Sequence, residues 1–141
     1  MRPHPLLLLP LLLLACTVEP PPPAVPTHEL DELASKAPEI GGLVRAAQLC
    51  GLALSQPAQE RAARIEEAAL ELQRHRGGTV ARDAFLRGMA PPHFESKQHG
   101  RDRAAWCMEK RPAVQRMDGM LNSTEGTALV QRAEAVQANL R

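Results

Sequence analysis

The chain has no tyrosine, and its only aromatic residues are Phe85, Phe94 and Trp106. Proteins that read single strands or RNA stack bases on aromatic rings, and this chain has almost none to spare. It also lacks a charge excess, with 17 Lys and Arg against 16 Asp and Glu. A general nucleic-acid or anionic-membrane binder would carry a clear basic surplus. Neither partner is expected. No apolar run is long enough to cross a bilayer as a helix, which needs about 20 residues; the longest is Leu6 to Ala15, broken at Pro10. There is no C-x-x-C-H haem attachment, no glycine-rich phosphate loop and no dinucleotide fingerprint. No catalytic constellation emerges, and an enzyme is not expected.

What is present begins at the amino terminus. Met1 to Pro5 carries one positive side chain, Arg2, and is followed by the apolar stretch Leu6 to Ala15 and then Cys16. This is the length and order of a secretory signal. Its end, Leu13-Leu14-Ala15-Cys16, resembles the lipobox of bacterial lipoproteins. The resemblance covers residues 1–16 and implies cleavage before Cys16, with lipid on the Cys16 thiol and new amino terminus. Residues 1–15 would then be a signal peptide, and the chain would be anchored in a bacterial cell envelope, facing the periplasm. Thr17 rather than Asp follows the cysteine, which favours the outer membrane within that resemblance. Ordinary secretion, with Cys16 incidental, is the competing reading; the bulky Leu13 leaves it a poor small-x-small site.

Residues 16–27 are then a tether. Thr17 to Thr27, TVEPPPPAVPT, cannot form helix and favours extended polyproline geometry. At ~3 Å per residue it would hold a domain about 30 Å from a membrane surface. A Pro-x-x-Pro ligand for another domain would use the same residues.

Residues 28–141 suffice for one domain. Its core must come from aliphatic side chains, methionine and many alanines, which bury little area each, so a covalent staple is valuable. With Cys16 assigned to lipid, Cys50 and Cys107 remain as a pair in an oxidising compartment. One disulfide is expected between them, closing a loop of roughly 56 residues worth ~4 kcal/mol.

Helical periodicity recurs throughout, and no strand alternation is found. His28 to Lys36 reads as a short helix and Pro38 as the start of another, with Ile40, Leu43, Val44, Ala47 and Cys50 on its apolar face. Ser55 and Pro57 open the clearest helix, whose inner stripe is Ala58, Ala62, Ile65, Ala69 and Leu72, with Glu60 and Arg64 in favourable i,i+4 order. Gly77-Gly78 ends it, and a shorter helix over 80–89 turns Val80, Ala84, Phe85 and Met89 inward. After the loop Ala90 to Gly100, helix resumes near Asp102 and meets Pro112, which either kinks it or begins the next. Ser123 or Thr124 caps a last helix carrying Leu129, Val130, Ala133, Val136 and Leu140. The expected fold is all-α: five or six short helices in one bundle. Few helices and one long-range disulfide resemble, as architecture alone, the small periplasmic acid-stress chaperones.

Three further features carry side chains suited to chemistry. His93, Glu95, His99 and Asp102 have metal-ligand side chains, and imidazole and carboxylate suit Zn or Cu. Their spacing matches neither H-E-x-x-H nor paired C-x-x-C, so a solvated loop is expected and no cofactor. Met117 and Met120, three apart, would suit Cu(I) but read as adaptable core filler. Arg101, Arg103, Lys110, Arg111 and Arg116 form a basic run interleaved with Asp102, Glu109 and Asp118, the pattern of a charged helix face. The functional expectation is a binding or structural module at a membrane surface, with an envelope protein or the cell wall as partner. A small periplasmic Zn- or Cu-handling protein is the alternative.

Overall fold

A computed structural model describes residues 20–21, 23–94 and 100–141 of the chain. Among the described residues there is no strand, and the helices number four: α1 (Thr27–Cys50), α2 (Gln56–Gly88), α3 (Gly100–Leu121) and α4 (Thr124–Leu140). The expected five or six contract to four because two prolines and one glycine pair that punctuate the sequence lie within helices rather than between them. Pro38 lies inside α1 and Pro112 inside α3. An interior proline forfeits one backbone hydrogen bond at ~3 kcal/mol. In α1 the helix continues because Leu33, Ala37, Ile40 and Gly41 bury one face across the proline.

The glycine pair does interrupt the backbone, as a kink within α2. Gly77 has φ −152° and ψ 22°, and Gly78 has φ 65° and ψ −153°, a conformation that residues with a Cβ avoid. The segment beyond the kink turns Phe85 and Met89 inward as expected, but Ala84 is exposed and Val80 is 76 % exposed. Val80 follows the kink directly, so the periodicity of a free-standing helix does not apply to it.

α1 and α2 run antiparallel. Arg45 on α1 grips Glu66 through two hydrogen bonds of 2.7 and 3.0 Å, and Asp31 near the start of α1 meets Arg76 at 3.3 Å. α4 lies against both, with Arg132 bonded twice to Glu32 at 3.1 Å and Gln137 donating to Glu67 at 3.2 Å. The core between them is made of methyl groups. Ala58, Ala62, Ala68 and Ala69 of α2 are buried beside Ile65 and Leu72, facing Leu129, Ala133 and Val136 of α4. Small side chains let the helices approach closely, compensating for the scarcity of large ones.

α3 runs antiparallel to α1. Cys50, the last residue of α1, is bonded to Cys107, with Cα atoms 5.6 Å apart and a sequence separation of 57. Gly51 caps α1 in the left-handed region at φ 61°. Arg103 adds a second tie at this end, donating to the Leu49 carbonyl at 2.6 Å. Ser123 caps α4 by accepting from the Gly126 amide at 3.4 Å. Ser55 takes the N-cap position of α2 without capping it; its amide and hydroxyl both donate to Asp118 of α3, at 2.8 and 2.7 Å. Arg64 does not pair with Glu60, reaching instead across to Glu134 on α4 at 3.3 Å.

Candidate functional site

Antiparallel packing of α1 on α3 leaves a groove along their seam, because the facing side chains near its middle are small. Gly42 and Ala113 lie there, and larger residues stand on either side. Two clefts of about 250 and 340 Å³ share Glu39, Leu43 and Ala113, which makes them one continuous depression. The first has Ile40, Met117 and Met120 for a floor, with Arg116 and the Lys36–Glu125 pair (3.9 Å) at its rim. The second runs between Pro38 and the turn Met89-Ala90-Pro91 and is walled by Trp106 and Lys110.

Trp106 is held on two sides. Phe94 meets it with ring centroids 5.8 Å apart, and Lys110 Nζ lies 5.7 Å from its centroid. Lys110 also approaches Glu109 at 3.8 Å. Arg116 and Glu39 make no ion pair with any described residue, so each offers a charge to the groove. Among the described lining residues there is no hydroxyl, thiol or imidazole. The groove offers apolar contact, one indole ring and charged side chains.

Away from the groove, two ionisable groups are clearly perturbed. Glu32 is held below the usual carboxylate range, chiefly by the hydrogen bond from Lys36, then by Arg132, with partial desolvation opposing both. The Arg45 guanidinium is pushed further up by its hydrogen bonds to Glu66. Both belong to interhelical pairs that fix the bundle, and neither lines the groove.

The residues singled out in the sequence are dispersed. Cys50 and Cys107 are joined. Cys16, Glu95 and His99 lie outside the described residues, as does the side chain of Arg101. His93 is exposed in the segment after α2, and Asp102 is exposed in the first turn of α3. Among the described residues, no three His, Cys, Asp or Glu side chains stand close enough to hold a metal ion. Met117 is buried in the core and Met120 packs against it, whereas Met108 is 72 % exposed. The basic run is divided: Arg103 ties α3 to α1, Lys110 and Arg116 border the groove, and Arg111 lines a separate shallow cleft beside Gly51.

Reasoning from sequence missed the interhelical pairs Arg45–Glu66 and Glu32–Arg132, and the Ser55–Asp118 junction. Their partners are 21, 100 and 63 residues apart, beyond any local pattern. Among the described residues, no helix is long and apolar enough to cross a membrane. In comparisons with known proteins, no family model, no curated protein and no solved structure matches the chain.

Proposed function

We propose that the chain is a bacterial envelope lipoprotein whose helical domain acts as a binding or structural module close to a membrane. The observation that carries this reading is the use made of its three cysteines. Cys50 and Cys107 are joined inside the domain, which leaves Cys16 as the odd thiol, at the end of Leu6 to Ala15. A protein disulfide suits an oxidising compartment, and a lone cysteine at the end of a short apolar leader suits lipid attachment. The lipid chains supply the membrane affinity that the domain surface, nearly neutral in charge, lacks.

In this reading the prolines before α1 are the spacer. Pro20, Pro21, Pro23 and Pro26 are not helical, and Val25 packs against the core, so the spacer ends in a fixed contact with the domain. The domain's work is contact with an envelope protein or with the cell wall.

Intact mass of the protein, extracted from its host in detergent without reductant, tests the anchor and the staple together. The expected mass shows cleavage before Cys16, added acyl chains and two hydrogens fewer than the dithiol. A mass retaining the leader with both thiols free would overturn the proposal. Crosslinking in intact cells then tests the binding role, and a reproducible envelope partner is expected.

A further inference from the structure

The second half of α2 is attached to the molecule differently from the other helical segments. Side-chain ion pairs or hydrogen bonds join α1 to α2, α1 to α4, and the first half of α2 to α4. Asp118 ties α3 to Ser55 at the start of α2. By contrast, among the described residues, the polar side chains of residues 79–88 reach nothing on another helix; Arg82 pairs with its own neighbour Asp83 at 2.8 Å. Apolar contact holds this stretch, through the buried residues Phe85 and Met89.

Its upstream end is the Gly77–Gly78 kink, where residues 74–80 are all exposed and Gly78 occupies a conformation open to glycine. Its downstream end is Met89, seated in a socket on α1. Arg45 Nη1 lies 3.9 Å from the Met89 sulfur, and Glu66 fixes that guanidinium in place. The floor of the socket is Gly41, which is buried; a methyl group built there would collide with the sulfur. The socket exists because residue 41 has no side chain.

We propose that residues 79–89 form a hinged arm, latched by Met89 in the Gly41–Arg45 socket, which opens as a unit about Gly77–Gly78 while the disulfide-stapled body stays folded. Met89, Ala90 and Pro91 line the cleft beside Trp106, so the latch sets the width of that part of the groove. Elements held by few buried contacts open locally at lower cost than the global transition.

Hydrogen exchange followed by mass spectrometry on the oxidised protein tests it. Amides from Ala84 to Gly88 are expected to exchange at least ~100-fold faster than those from Ala62 to Leu72, with little dependence on urea, as local opening exposes little surface. Gly41→Ala, which fills the socket while favouring helix in α1, should speed the arm at least ~10-fold further and leave residues 62–72 unchanged. Met89→Ala, which empties the socket from the other side, should do the same. Arm and body amides exchanging together with one steep urea dependence would overturn the proposal, as would both variants accelerating the body equally.

Discussion

Replacing the disulfide by alanines, Cys50→Ala with Cys107→Ala, removes the covalent link between the end of α1 and the second turn of α3 while leaving no free thiol behind. Cys50 and Cys107 are both only partly buried, so little packing is lost with them. The main effect falls on the unfolded chain, which regains the freedom withheld by a closed loop of 57 positions. In the chain-entropy treatment that freedom is about 14 cal/mol/K, or ~4 kcal/mol at 25 °C. A domain of this size loses roughly 1.5 kcal/mol per molar urea, so the midpoint should fall by about 3 M, and the melting temperature by about 15 °C. Urea titrations followed by circular dichroism at 222 nm, on wild type and double variant side by side, measure the difference. Because total stability is typically ~5–15 kcal/mol, the variant should remain folded but marginal. A loss below ~1 kcal/mol would refute the reasoning, since it would mean that the unfolded chain is already held compact at the α1–α3 junction without the bond.

Glu32→Gln should act through pH. The folded carboxyl titrates below its unfolded value of about 4.3, so its contribution is complete above that value and disappears as pH falls through the lower folded one. The variant's urea midpoint should therefore lie below wild type at neutral pH and converge with it in acid; a gap that widened in acid would contradict the assignment. Gly126→Ala should cost ~1–3 kcal/mol, read as a lowered melting temperature, because a methyl there meets the Leu121 backbone at the turn between α3 and α4. Unchanged stability would show that the turn yields freely.

The helical faces were legible because they depend on spacing alone. Ala58, Ala62, Ile65, Ala69 and Leu72 are all buried, as are Leu129, Val130, Ala133 and Val136. The disulfide was legible because reading Cys16 as a lipid site left Cys50 and Cys107 as an even pair. Helix boundaries were not. Pro38 looks like a start in isolation and Pro112 like either a kink or a start, yet both sit in continuous helices; burial across Pro38 shows how tertiary packing offsets a broken local bond. Glu60 and Arg64 have the right spacing to pair, yet long side chains choose among all neighbours in space, and Glu134 is the one Arg64 meets. The groove was invisible for the same reason. Its two walls, Pro38 to Leu43 and Trp106 to Met120, are far apart in sequence, and only antiparallel docking brings Glu39 and Arg116 to one rim.

The position of the bridge also decides how the molecule bears tension. A pull applied between the segment before Thr27 and the end of α4 travels along α1, crosses at Cys50–Cys107 and continues through α3. All of α2 lies inside the bypassed loop, so no load passes through its backbone. The 57 positions it spans, roughly 190 Å of chain at ~3.3 Å each, cannot be paid out while the bond is intact. Stretched from its ends, the domain would yield α1, α3 beyond Cys107 and α4 and then stop short, keeping α2 and the first turns of α3 as slack that only a reductant releases.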